Sequence, residues 1–370
     1  MKVLLHTPFF YPSVGGIETF ADGLAGELRR RGVDVTVLAE TPLGAAEEWA
    51  RGYRLLRANS STRKQALEGA DAILSVGPGS RMLPAARRLR LPMILVHQNP
   101  VADCPIGIGW RDSQPCGYRF AKCLHCRVSG QSMKANVRAI ARHKVLRWAM
   151  KRAAANVYIS ETIAARAGLP GERIGNFYDP DIFYPDPAIQ PDAAFLFVGR
   201  LVPLKGVDVA IRGFAAARRV GSTFRLRIIG DGPEHSNLEQ LAVAEGVAEV
   251  VDFLGPIGGA ELAREYRSAW ALLFPSQWAE PFGIVMIEAM ACGCPVLASD
   301  RGACAEVVAN GGRIVGAADA DAWATAMTEV AANPEFRAEW SRRATLRAAE
   351  FALPRIADRY LQLLNRLVPR

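Results

Sequence analysis

Ser276-Gln277-Trp278-Ala279-Glu280-Pro281-Phe282-Gly283-Ile284-Val285-Met286-Ile287-Glu288 reads as a loop that leaves a buried strand and turns into a helix. Ala271 to Phe274 before it is an apolar strand-like run; Pro281 and Gly283 break the chain, and an apolar stretch follows. Gly283 permits a backbone conformation that other residues avoid. The amides after it point outward, unpaired, at the positive end of the helix dipole. Such a corner suits an anion. Glu280 falls beside whatever hangs from that anion, while Glu288, farther along the helix, can face a pair of hydroxyls. In open parallel sheets, ligands bind at such loops beyond the carboxyl ends of the strands.

Outward from this corner, short apolar runs alternate with amphipathic stretches along the whole chain, which predicts an α/β protein with two doubly wound parallel sheets. The expected strands of the first half are Val3–Leu5, Val33–Leu38, Tyr53–Leu56, Ala72–Val76, Pro92–His97 and Asn156–Ile159. Those of the second are Ala194–Gly199, Phe224–Ile229, Val250–Leu254, Ala271–Phe274, Pro295–Ala298 and Gly312–Ile314. With 370 residues, two domains are expected. The proline-rich connection from Asp179 to Pro191 marks the boundary, giving domains at 1–185 and 190–350. Neither first strand is followed by Gly-x-Gly-x-x-Gly, which disfavours a dinucleotide-dependent oxidoreductase.

The segment Ser276 to Gly283, followed by Glu288-Ala289-Met290-Ala291-Cys292-Gly293-Cys294-Pro295-Val296-Leu297-Ala298, resembles the donor-site signature of retaining glycosyltransferases of family 4. The resemblance implies the GT-B fold, in which two Rossmann-like domains flank an interdomain cleft. The first would bind the acceptor and the second a nucleoside diphosphate sugar, with the terminal segment 351–370 packing back on the first. It assigns both Glu280 and Glu288 to donor binding, with Phe282, Gly283, Ile284 and Val285 around them.

Other loops match the same family. Gly199-Arg200-Leu201-Val202-Pro203-Leu204-Lys205-Gly206 sets a guanidinium and an ammonium on one loop, both charged at neutral pH and able to offset charge on a departing diphosphate. In the family the matching Arg and Lys hold the donor pyrophosphate. Gly230-Asp231-Gly232-Pro233 and Phe253-Leu254-Gly255 resemble loops that frame the nucleotide through backbone at Gly230 and Leu254. Gly15-Gly16, in the turn Pro8 to Glu18, lets backbone amides approach a phosphate at Gly16. His97 closes an apolar run at a strand end; a lone His there is commonly structural, whereas the resemblance implies contact with the transferred sugar. His97, Glu280, Arg200 and Lys205 are therefore the expected catalytic group.

Charge is divided unevenly. Residues 1–190 carry 26 Lys plus Arg against 16 Asp plus Glu, and residues 191–370 carry 19 against 21, so the basic character lies in the first half. That half calls for an anionic partner, and no nucleic-acid motif accompanies it. A basic amphipathic helix is expected over Val137–Arg152; it reads either as a core helix with a solvated face or as an interfacial helix on anionic lipid, with Trp148 near the headgroups and Arg29-Arg30-Arg31 adding to the surface. No apolar run of membrane-spanning length and no signal peptide is seen, so a cytoplasmic protein, peripheral on the membrane, is expected. Among seven cysteines, Cys104, Cys116, Cys123 and Cys126 fall in one stretch ending in Cys-x-x-Cys, which could close a structural zinc site or remain as thiols.

No enzyme nucleophile stands out. The expectation is sugar transfer from a UDP- or GDP-linked donor to a glycan or lipid-linked acceptor, with retention of configuration and no obligatory metal. Two alternatives stay open: a sugar-nucleotide epimerase or hydrolase of the same fold, and a non-catalytic nucleotide-sugar or membrane-binding partner of a polysaccharide assembly.

Overall fold

The computed structural model describes residues 1–11, 15–41, 52–77, 82–100, 104–105, 110–111, 114–116, 119–126 and 132–368. It divides into two compact units, Met1–Asn176 with Leu353–Arg370, and Phe177–Ala352. The proline-rich connection thus packs with the second unit, and the division falls at Asn176, earlier than the prolines indicate.

The first unit holds a seven-stranded sheet. In chain order its strands are β1 (Lys2–Thr7), β2 (Asp34–Ala39), β3 (Arg54–Arg57), β4 (Ala72–Val76) and β5 (Met93–His97), then, after a two-residue hairpin β6 (Trp110–Arg111) and β7 (Gln114–Pro115) outside the sheet, β8 (Ala155–Tyr158) and β9 (Glu172–Arg173). The spatial order is β3-β2-β1-β4-β5-β8-β9, all parallel. Strands buried on both faces read as unbroken apolar runs, which is why β4 and β5 are wholly buried. The terminal helix Leu353–Leu367 belongs to this unit: Tyr360 meets Phe20 of the helix Gly16–Arg30 edge-on at 6.0 Å, and Arg31 pairs with Asp358 at 3.0 Å.

The second unit repeats the plan with six parallel strands, β10 (Ala194–Val198), β11 (Arg225–Ile229), β12 (Val251–Gly255), β13 (Ala271–Phe274), β14 (Val296–Ser299) and β15 (Gly312–Val315), ordered β12-β11-β10-β13-β14-β15. The order reverses between β10 and β13, so the loops after these two strands stand side by side at a topological switch point. A core of Phe195, Phe197, Phe214, Phe224 and Trp323 fixes the sheet beneath them. Among the described residues no helix is long and apolar enough to cross a membrane.

Candidate active site

The loop after β10 ends in a short turn, Pro203–Lys205, closed by Gly206 in the left-handed region at φ 68°. A Cβ at Gly206 would lie 2.1 Å from the carbonyl oxygen of Pro275, so only glycine lets this loop reach the one after β13. Contact is completed by the Gln277 amide donating to Leu204 O at 2.8 Å and by the Ser276 hydroxyl at 3.4 Å. On the far side Gly302, at φ 61°, presses against the Glu280 backbone, and the Ala303 amide donates to Glu280 O at 2.9 Å. The loop that carries Glu280 is therefore held at Pro275–Gln277 by the loop after β10 and at the Glu280 main chain by Gly302 and Ala303.

The Glu280 side chain is held as firmly. Glu280 is buried, and its Oε2 accepts from Lys205 Nζ at 2.9 Å, Trp278 Nε1 at 2.9 Å and Ser276 Oγ at 3.3 Å. The Lys205 ammonium also faces the rings of Phe274 at 5.3 Å and Trp278 at 5.9 Å, within the range of cation–π attraction. Arg200, on the same loop as Lys205, is exposed and makes no ion pair among the described residues. The loop carrying Gly230 is locked in turn: its Cβ would fall 2.0 Å from Gly199 O, and its amide donates to Gly255 O at 2.8 Å. Leu254 is exposed on the edge strand β12.

Gly283 caps the helix Ile284–Ala291 at φ 87° with no side-chain cap, so the first amides of Ile284 and Val285 are left for solvent or a ligand. Phe282 is buried and meets Phe351 edge-on at 5.5 Å; it can serve a ligand through its backbone alone. Glu288 lies on this helix, half-buried, with the Tyr266 hydroxyl donating to its Oε2 at 3.3 Å. Burial raises its pKa to about 7, partly offset by that hydrogen bond. A carboxylate so poorly solvated gains from any further hydroxyl donor. Tyr266, which the sequence reading missed, sits 22 residues from Glu288 with no local signal to link them.

The first unit treats its polar residues differently. His97 is 1% exposed, its Nε2 is bonded to Asn156 Oδ1 at 3.0 Å, and its ring stacks on Tyr158 at 4.9 Å. Burial lowers its pKa to about 4, so it is neutral at pH 7 and cannot act there as a general acid; here it joins β5 to β8 instead of facing open space. Gly16 is the first residue of its helix, behind an extended Gly15, and residues 12–14 of that turn lie outside the described residues. A second buried chain went unread in the sequence: His6 bridges Ser75 Oγ at 2.9 Å and Glu40 Oε1 at 3.2 Å, and Arg63 pairs with Glu40 at 2.6 Å. The His6 hydrogen bond and Arg63 hold the Glu40 carboxyl down to about 2.

Cys116 has its thiol pKa raised by burial first and by the thiols of Cys104, Cys126 and Cys123 after it, so Cys116 lies within electrostatic reach of each of the other three. Among the described residues no group of three or more His, Cys, Asp or Glu is arranged to hold a metal ion.

Two family descriptions cover most of this chain. Glycosyltransferase Family 4 matches residues 14–174, and Glycosyl transferases group 1 matches residues 184–347. The chain belongs to the group 1, family 4 glycosyltransferases. The second match spans the candidate-site residues from Arg200 to Glu288, and the first spans Gly16, His97 and the four cysteines. Among curated relatives, D-inositol 3-phosphate glycosyltransferases from Saccharomonospora viridis and Gordonia bronchialis are 39% and 38% identical over 187 and 189 residues. Those stretches are 47% and 48% of this chain and 43% and 41% of the relatives, so the match spans about two fifths of their length. Among solved structures, Anabaena Alr3699/HepE in complex with UDP is similar at a TM-score of 0.77 and 20% identity, covering 99% of this chain and 100% of that one. Sucrose-phosphate synthase from Thermosynechococcus elongatus is similar at 0.73 and 21%, covering 99% and 98%. The family's fold is thus the two-sheet GT-B architecture found here.

Proposed function

We propose that this chain is a retaining glycosyltransferase that moves a sugar from a UDP- or GDP-linked donor to a glycan or lipid-linked acceptor in the making of a cell-surface polysaccharide or glycolipid. The observation that carries the reading is the Lys205–Glu280 pair on two interlocked switch-point loops, beside a helix start without a side-chain cap. Lys205, Arg200 and the amides of Ile284 and Val285 supply positive charge for a diphosphate, and Glu288 supplies an acceptor for ribose hydroxyls. Glu280 is already saturated at one oxygen by three donors, which suits it to receive a sugar hydroxyl and not to attack carbon. We infer that the acceptor then attacks on the face from which the diphosphate departs, with the leaving phosphate drawing the acceptor proton. A uridine nucleotide is supported by the UDP held in the similar Anabaena structure.

The acceptor side of the proposal is a peripheral contact with anionic lipid at the cytoplasmic membrane face. Residues 113–160 contain ten Lys and Arg and no Asp or Glu. The helix Met133–Met150 exposes Met133, Val137, Val145 and Trp148 among Lys134, Arg138, Arg142 and Lys144, a mixed apolar and cationic face of interfacial type. Arg147 turns away to the Ala167 carbonyl, and Arg29, Arg30 and Arg31 are engaged by Gly52, Glu27 and Asp358, so they add little to that surface.

The test is thermal stabilisation by uridine, guanosine, adenosine and thymidine diphosphates and their sugar conjugates, followed by product analysis. Selective stabilisation by one nucleotide and transfer to an added acceptor are expected. Release of free sugar as the main product would favour a hydrolase instead, and no response to any nucleotide would favour a non-catalytic partner.

A further inference from the structure

We propose that Trp278 is a positioning residue that decides which oxygen of Glu280 is offered to the donor sugar; the proposal rests on the reading of this corner as a sugar-nucleotide site. Every hydrogen bond to the Glu280 carboxylate among the described residues ends on Oε2. Three donors fill the capacity of one carboxylate oxygen and leave Oε1 as the atom that can accept from a ligand.

The three donors are not equivalent once a diphosphate arrives. Lys205 is the mobile one: its ammonium is a compact charge on a flexible stem, and a phosphate competes with Glu280 for it. Ser276 is the weak one, at 3.3 Å, with its hydroxyl also directed to Leu204 O at 3.4 Å. Trp278 is the fixed one. Its indole N–H is donor only, stands at 2.9 Å, and is carried by a rigid ring two residues from Glu280 on a loop pinned by Gln277 to Leu204 O, Pro275 O and Ala317 O. When Lys205 swings to phosphate, the indole keeps Oε2 engaged and so keeps Oε1 directed at the sugar. The same ring lies 5.9 Å from the ammonium, so it also steadies Lys205 before the donor binds.

Two variants separate these roles: Trp278→Phe keeps a ring face and loses the N–H, and Trp278→Gln keeps an N–H donor and loses the ring. The readout is the affinity ratio of UDP-glucose to UDP by calorimetry, with GDP-mannose and GDP as the second pair, alongside the melting temperature. Trp278→Phe is expected to lower the sugar-nucleotide to nucleotide ratio about tenfold, leaving the bare nucleotide within about twofold of wild type; tenfold corresponds to about 1.4 kcal/mol. Trp278→Gln is expected to recover a substantial part of the ratio. A purely structural role would weaken both ligands together and lower the melting temperature in proportion. An unchanged ratio in Trp278→Phe, or equal loss of both ligands in the two variants, overturns the assignment while wild-type binding upholds the site. Absence of wild-type binding to either pair overturns the site and, with it, this assignment.

Discussion

The loops beyond the second sheet's carboxyl ends and the polar groups at the same level of the first sheet are built to opposite rules. In the second unit, glycines at 206, 230 and 302 let backbones touch, and the charged side chains Lys205 and Glu280 meet on top of that lattice. In the first unit, His6, Ser75, His97 and Asn156 turn inward and satisfy one another. The difference separates charged groups gathered on interlocked loops from polar pairs that join neighbouring strands. Donors fixed before the ligand arrives need little reorganisation at the moment of reaction, whereas buried polar pairs hold strands together at little cost only while both partners remain.

The largest effect expected from breaking this contrast is at Lys205. Lys205→Ala should lower turnover by about a hundredfold to a thousandfold, as loss of a donor that stabilises developing charge does. Steady-state rates with the donor found by thermal shift would measure it, and wild-type turnover would end the leaving-group assignment.

Glu288 gives the next effect and a pH signature. Its pKa in the folded chain is raised to about 7, above the ordinary value of 4.5. Between those two values the folded state binds a proton that the unfolded state has lost, so this group's contribution to stability declines as pH rises through the window. Hydroxyls of a ribose favour the ionised form, so nucleotide affinity should rise with pH toward and past 7. Glu288→Gln should flatten that profile and weaken binding at pH 8 about tenfold; an equally pH-dependent variant would remove Glu288 from the site.

A smaller effect concerns the cationic helix. Reversing Arg138, Arg142 and Lys144 to Glu together should reduce sedimentation with vesicles containing anionic phospholipid by roughly tenfold, at about 1 kcal/mol or less for each charge, while leaving nucleotide affinity unchanged. Neutral vesicles should show little binding to either protein.

The smallest effect on activity is expected at His97. His97→Phe leaves Asn156 Oδ1 without its buried partner and should cost about 1–3 kcal/mol of stability in denaturant titration. Because the folded pKa is lowered to about 4, the wild type should lose stability from this group as pH falls from about 6.5 to 4, a slope the variant lacks. A hundredfold loss of turnover with unchanged stability would instead return His97 to the chemistry.

The strands were legible because buried parallel strands are apolar runs bounded by breakers. β4 and β13 begin and end where the sequence places them, and most others shift by a residue or two. Two-residue elements were not legible: Glu172–Arg173 is polar and too short for any period, and it becomes a strand only by pairing with Val157 and Tyr158 of β8. In the candidate site, the uncapped helix start after Gly283 and the placing of residues 200, 205, 280 and 288 on loops and the helix after strands could be read from loop chemistry, while the roles the resemblance gives them belong to the proposal. The inward turn of His97 could not be, since a strand-end residue can face either way until its neighbours pack.

What the sequence by itself determined is local: which segments bury, where Gly and Pro interrupt them, and which residue types stand on the loops after each strand. Those follow from periodicity and backbone sterics, which act over a few residues. Tertiary structure alone decided the pairings: Lys205 with Glu280 across 75 residues, Tyr266 with Glu288, His97 with Asn156 across 59, and three donors on one oxygen of Glu280. Hydrogen bonds and charge pairs act over a few ångström, and only the packed sheets bring such distant positions within that range.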